Sequence, residues 1–204
     1  MTATPDYAIH LAWAAWLVSW WLAAVWRKRA VNRPPGVQEV LHLTPTIIGA
    51  VMLFFTHASR DDPTLQVMNP RRALFQPIQL WQTPLEAGWV CFALVVAGCL
   101  FAWWARIHLG QLWSGSITVK ADHRVVDTGP YRMVRHPIYT GLILAAFATA
   151  AEKATVLALS GAALIAFGFW LKARFEERFL RKELGREAYD AYARRTRMLV
   201  PFLL

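Results

Sequence analysis

Arg135-His136-Pro137, followed by Tyr139 and Gly141, sets two cationic side chains and a proline directly before an apolar run. Proline is tolerated at the first position of a helix, because its missing N–H would find no intrahelical acceptor there. A helix starting at Pro137 presents free backbone N–H groups and a partial positive charge at its N-terminus. With Arg135 and His136 beside it, that end suits a carboxylate or a phosphate. The plainer alternative is snorkelling, in which Arg135 merely holds a helix end at a membrane surface. The second feature is Glu176-Glu177, just beyond a later apolar run. Local helical pairs, Glu176 with Lys172 and Glu177 with Arg181, account for it in the simplest case. As a binding site, a carboxylate there would hold a cationic group. Together the two features suit a zwitterion, its carboxylate at the Arg135–His136 helix end and its ammonium at the acids.

Little else in the chain offers chemistry. No metal motif, phosphate-cradling glycine loop or nucleophile elbow occurs. His10, His42, His57 and His108 read as packed or interfacial, whereas His123 and His136 flank one loop. Cys91 and Cys99 lie in one apolar run without a CxxC partner and read as small buried hydrophobes. The net charge of +9 is spread beside apolar runs rather than along one basic face with interleaved aromatics. That pattern argues against nucleic acid and for anionic lipid headgroups and an anionic ligand.

The elements that must position these residues are membrane helices. Hydrophobic residues make up 56% of the 204, and charged residues only 17%, below the roughly 25% of ordinary soluble domains. Apolar runs predict spans at about 7–26, 41–59, 85–105, 137–151 and 154–171, the fourth being short for a crossing. The first lacks a basic leader and a small-residue cleavage site, and reads as a retained anchor. Segments 27–40, 106–136 and 172–204 hold 4, 5 and 9 of the 22 Lys and Arg residues. The positive-inside rule therefore puts the N-terminus outside and these segments, with the C-terminus, in the cytoplasm. Trp13, Trp26, Trp81, Trp89, Trp103, Trp104 and Trp113 fall near span ends as an aromatic belt would, while Trp16, Trp20 and Trp21 lie deeper.

Segment 106–136 reads as a structured and functional loop, since long loops without helices of their own usually serve a purpose. The tail reads as two charged amphipathic pieces, "FEERFLRKEL" and "REAYDAYARR", parted at Gly185. The expected fold is all-α integral membrane. It has about five transmembrane helices and a cytosolic cofactor pocket built by the loop before span four and the C-terminal helices. We expect one domain over 1–204, with spans one to three in 1–105 and the binding and catalytic part in 106–204.

"HRVVDTGPYRMVRHPIYTG", followed by "EERFLRKELGREAYDAYARRTRMLVP", resembles the isoprenylcysteine carboxyl methyltransferases, which share this C-terminal signature with phospholipid N-methyltransferases. The resemblance covers about Leu109 to Pro201. It implies a multi-span enzyme that uses S-adenosyl-L-methionine. The expected location is a prokaryotic inner (cell) membrane. By position the resemblance places cofactor contacts on His123, Arg124, Val125, Val126, Tyr131, His136, Pro137, Ile138, Tyr139 and Glu176; Arg135 joins this cofactor-binding set from the charge at the helix end. A family arginine associated with substrate falls on Lys172, with Arg174 the nearest arginine, so these two are the candidate catalytic residues. Lys cannot make the bidentate carboxylate contact of Arg.

The implied acceptor is lipophilic: the carboxylate of a prenylated cysteine or a similar prenyl thiol acid. A carboxylate is already anionic and needs no base, so alignment and water exclusion would suffice. The alternative acceptor, a phospholipid amine, must lose a proton, with Glu177 or His136 to take it. An NADPH-dependent membrane reductase and a non-catalytic scaffold are the remaining readings. The oligomeric state is left open.

Overall fold

The computed structural model describes residues 4–23, 36–54, 78–110, 113 and 126–200. Among them the chain is helical: α1 Pro5–Leu22, α2 Gly36–Phe54, α3 Leu85–Leu109, α4 Pro130–Met133, α5 Pro137–Lys153, α6 Val156–Leu184 and α7 Arg186–Arg195. The five longest of these helices overlap the expected spans, with α2 starting at Gly36 rather than about 41 and α6 running to Leu184 rather than about 171. α2, α3 and residues Val156–Glu183 of α6 are long and apolar enough to cross a membrane. Their outward faces carry Ile47, Ile48, Val90, Leu100, Phe167 and Trp170, all exposed, as lipid-facing surfaces require. The structure is thus an all-α membrane fold. Cys91 and Cys99 are both free thiols, the latter buried.

α5, of 17 residues, occupies the interior of the bundle. Ala145, Ala146 and Ala150 are completely buried, with α3 on one side and α6 on another. Small residues let these backbones approach. A Cβ on Gly98 of α3 would collide with the Gly141 carbonyl of α5 and lie 3.1 Å from the Ala145 nitrogen. At the α2–α6 crossing, a Cβ on Gly49 would sit 2.5 Å from the Gly161 oxygen, and one on Gly161 2.7 Å from the Gly49 oxygen. Gly98→Ile is therefore expected to push α3 from α5 and cost about 1–3 kcal/mol, the usual effect of overpacking. Thermal unfolding in detergent, compared with Leu100→Ile on the lipid face, checks this; equal midpoints would contradict it.

α5 and α6 form a tight hairpin. Ala154 takes a left-handed conformation at φ 53°, and the Thr155 hydroxyl then caps α6 by accepting from Ala158 N–H at 3.1 Å. α6 runs for 29 residues without a break, so the fifth span and the first amphipathic piece are one helix rather than two segments. No proline interrupts it, and the first positive-φ residue is Gly185 at φ 90°. The chain turns there into α7, which Arg181 Nε holds to α6 through Asp190 Oδ1 at 2.7 Å.

Beyond α7, residues 196–200 run back beside the start of α5. Arg135 N–H donates to Arg197 O at 2.7 Å, His136 N–H to Met198 O at 3.1 Å, and the Thr140 hydroxyl to Leu199 O at 2.6 Å. At the far end of α3, Arg106 is buried among Trp20, Trp103 and Trp113, with its guanidinium 3.5 Å from the Trp113 ring centre. Trp16 and Trp20 stack on each other at 4.7 Å, whereas Trp21 faces outward.

Candidate active site

The proline at the start of α5 and the unbroken length of α6 bring the two sequence features together. His136 is the residue before Pro137, and its side chain makes no capping bond to the helix. It points instead at α6. Nδ1 lies 3.4 Å from Glu176 Oε2 and Nε2 3.3 Å from Glu177 Oε1. Both ring nitrogens thus face carboxylates, an arrangement in which both can donate only as imidazolium. Burial by itself would lower the His136 imidazole. The hydrogen bonds and charges of Glu176 and Glu177 outweigh it and raise His136 above the ordinary 6.5.

Arg135 is consumed by the protein itself. Its Nε donates to Glu177 Oε1 at 2.7 Å, and its Nη1 donates to the carbonyls of Ala193 (3.0 Å) and Thr196. Glu177 is buried and takes Arg135 and His136 as partners, while Arg181 turns to Asp190. The local pair expected between Glu177 and Arg181 is therefore replaced by a tertiary one. The snorkelling alternative for Arg135 fails for the same reason, because its head group is tied to α6, α7 and the terminal strap.

Glu176 faces differently. The Tyr139 hydroxyl donates to its Oε1 at 2.7 Å, and its carboxylate remains partly accessible, at 18% side-chain exposure against 5% for Glu177. Tyr139 stacks between His136 (5.4 Å, 6°) and Phe169 (5.0 Å, 15°), forming an aromatic wall. Lys172, one turn before Glu176 on α6, places Nζ 5.3 Å from the centre of the Tyr139 ring. Arg174 lies on another face of α6, exposed, with its guanidinium 5.8 Å from the Trp170 ring. The structure thus gathers His136, Tyr139, Lys172 and Glu176, and leaves Arg174 outside the cluster.

Pro137 and Ile138 are buried at the start of α5. Tyr131 is buried on α4, and its carbonyl accepts the Tyr192 hydroxyl at 2.7 Å. Val126 is half-buried against the main core cluster. His123, Arg124 and Val125 lie outside the described residues, as does most of the loop before α4. Burial raises the Tyr131, Tyr189 and Tyr192 phenols, which keeps them neutral donors.

Two contributors escaped the reading of the sequence. His108, read as a residue at a span end, bonds Thr128 Oγ1 at 2.8 Å and lies against Gly129, whose φ of 56° turns the chain into α4. A Cβ on Gly129 would sit 2.7 Å from the His108 ring. His42, read as packed or interfacial, is packed: it is buried on α2, within electrostatic range of Lys172 and Glu176. Its one legible signal is a histidine inside an otherwise apolar helical run, just before Pro45.

Glu176 has acceptor capacity left for an ammonium, and the α5 N-terminus offers a positive end for a carboxylate. These groups are complementary to a zwitterion, while Arg135 is engaged by Glu177 and two backbone carbonyls. Metal-ligand clusters of His, Cys, Asp and Glu do not occur among the described residues.

Residues 90–182 match the isoprenylcysteine carboxyl methyltransferase family. The probable protein-S-isoprenylcysteine O-methyltransferase of Oryza sativa subsp. indica is 32% identical over 112 residues, covering 54% of this chain and 53% of that protein. Protein-S-isoprenylcysteine O-methyltransferase B of Arabidopsis thaliana is 26% identical over 113 residues, 54% of this chain and 57% of that protein. Methanethiol S-methyltransferase 2 of Bradyrhizobium diazoefficiens is 43% identical over 139 residues, 62% of this chain and 51% of that protein. The chain spans about half the length of the curated relatives it matches.

Proposed function

We propose that this chain, whose residues 90–182 match the isoprenylcysteine carboxyl methyltransferase family, is a membrane methyltransferase that uses S-adenosyl-L-methionine to methylate a lipophilic acceptor. S-adenosylmethionine would supply a methyl group already activated on a sulfonium. The observation that carries the reading is the partly accessible Glu176 carboxylate, held by Tyr139 and His136 beside the helix start at Pro137. Glu176 would hold the ammonium, and the N–H groups of the α5 N-terminus the carboxylate, of the cofactor's methionine end. Tyr131, Ile138 and Val126, with His123, Arg124 and Val125 of the preceding loop, would complete the binding surface. The wall of Tyr139, His136 and Phe169 would keep water from the reacting groups.

Lys172 would orient the acceptor. Its ammonium lies by the Tyr139 ring, one helical turn from Glu176, and carries the charge that an anionic end group needs. The carboxylate of a prenylated cysteine fits, since it needs no deprotonation. An amine acceptor fits less well: Glu177 is engaged by Arg135 and His136, and so is badly placed to take a proton. The methanethiol relative favours a second reading, in which the acceptor is a small or prenylated thiol reacting as its thiolate. The active face would lie on the cytoplasmic side, where the positive-inside pattern puts the C-terminus.

Incubating the purified protein with methyl-labelled S-adenosylmethionine tests this against three acceptors: an S-farnesyl cysteine acid, methanethiol and phosphatidylethanolamine. Label in the farnesyl acid supports the first reading and label in methanethiol the second. Label in the phospholipid alone, or in none of the three, would overturn both.

A further inference from the structure

The cluster described above joins α5, α6, α7 and the terminal strap, and α2 carries no recognisable motif. Its first turns nevertheless lie against the cation assigned to the acceptor. Gly168, Lys172 and Glu176 recur every four residues and so share one stripe of α6. At Gly168 the two backbones nearly touch: an added Cβ would lie 2.8 Å from the His42 carbonyl oxygen and would collide with the Thr46 hydroxyl. Helical side chains lean toward the N-terminus of their helix, so Lys172 leans back over Gly168 and toward His42.

His42 is only 3% exposed, and its Nδ1 lies 3.1 Å from the Glu39 carbonyl, to which Nδ1–H can donate. That bond leaves Nε2 with its lone pair. Glu39, three residues earlier on α2, is also within electrostatic range of Lys172. The Lys172 ammonium therefore lies over the Tyr139 face and within electrostatic range of Glu176, Glu39 and His42.

We infer that Glu39 and His42 of α2 are positioning residues for Lys172, holding its ammonium at the acceptor end of the site. The inference rests on the reading of Lys172 as the acceptor-side cation. Lysine has a long flexible stem and loses much rotamer freedom when ordered, so a point cation needs such constraint to select one acceptor geometry. α2 is then the acceptor-side wall of the site, while α5 and the strap form the cofactor side. The acceptor class that this arrangement recognises is an apolar molecule ending in a single anionic group.

The test uses the full chain in detergent with three readouts. The first is the rate of Lys172 acylation by acetic anhydride relative to exposed Lys182, followed by mass spectrometry. The second is KM for an S-farnesyl cysteine acid, and the third is the affinity for S-adenosylhomocysteine. Glu39→Gln and His42→Phe should each raise relative Lys172 acylation and KM by about tenfold, the loss of one charge-assisted contact. Affinity for S-adenosylhomocysteine should stay within about twofold. His42→Gln, which can still donate to the Glu39 carbonyl, should restore most of the wild-type behaviour. Because Glu39 is only half-buried, its variant keeps the test open if His42→Phe fails to fold. Unchanged Lys172 acylation in both variants would overturn the inference. Changed acylation, with Lys172→Met leaving KM unaltered, would support the positioning while overturning Lys172 as the acceptor contact.

Discussion

Glu177→Ala is expected to destabilise the protein by about 3–5 kcal/mol, which for a chain of this size lowers the unfolding midpoint by on the order of 10 °C. The cost comes from what the substitution leaves behind. Arg135 is held between Glu177 and two backbone carbonyls at the junction of α5, α6, α7 and the strap. Without the carboxylate, a guanidinium charge stays buried and uncompensated. Glu177→Gln keeps the shape and one acceptor oxygen and should cost less. Thermal unfolding of both variants in the same detergent makes the comparison. An alanine variant as stable as wild type would remove the structural role given to Glu177.

The same cluster makes stability depend on pH in a stated direction. His136 has a raised folded-state pKa, so its contribution is fully present below the unfolded value of about 6.5 and is lost as pH rises through the folded value. Wild-type stability should therefore fall on the alkaline side. Glu177→Ala removes one of the two carboxylates that raise His136, which moves that fall to lower pH. Unfolding midpoints measured from about pH 6 to about pH 9 would show the displacement.

Glu176→Gln is the second large effect, and it should fall on binding rather than folding. The Tyr139 hydroxyl can still donate to the amide oxygen, so the local geometry survives. The charge offered to a ligand ammonium is lost. A charge-assisted hydrogen bond contributes about 1.5–3 kcal/mol, so affinity for S-adenosylhomocysteine should drop by roughly 10- to 100-fold. Over the same comparison Glu177→Gln should change affinity far less, because its carboxylate is directed at Arg135 and His136. Calorimetric titration of the three proteins decides the matter. Equal affinities for wild type and Glu176→Gln would withdraw Glu176 from the cofactor site.

These contrasting roles for adjacent glutamates were only partly legible beforehand. A zwitterion site between Arg135–His136 and Glu176–Glu177 was deduced from charges standing beside apolar runs. The structure brings the two pairs together, but in direct contact: His136 bridges both acids and Arg135 is spent on Glu177. Successive residues on a helix point about 100° apart. Glu176 and Glu177 therefore meet different neighbours, and only the packing of α5 and α7 on α6 determines which. For the same reason Lys172 reaches the cluster and Arg174, two positions later, does not.

The sequence by itself determined the membrane class, the approximate positions of the long helices, the break at Gly185 and the residues able to carry charge into the site. Each is written in local pattern: run length, a turn-permitting glycine, or a polar residue where apolar ones are the rule. Tertiary structure alone decided which ions pair, that α6 runs unbroken past the apolar segment, and that the start of α2 packs against Gly168 of α6, with His42 within electrostatic range of Lys172. Those outcomes follow from how closely two helices approach at Gly168 and Gly98, and from the azimuth at which each side chain leaves its helix. Both are properties of packed pairs of helices, and no single segment of chain encodes them.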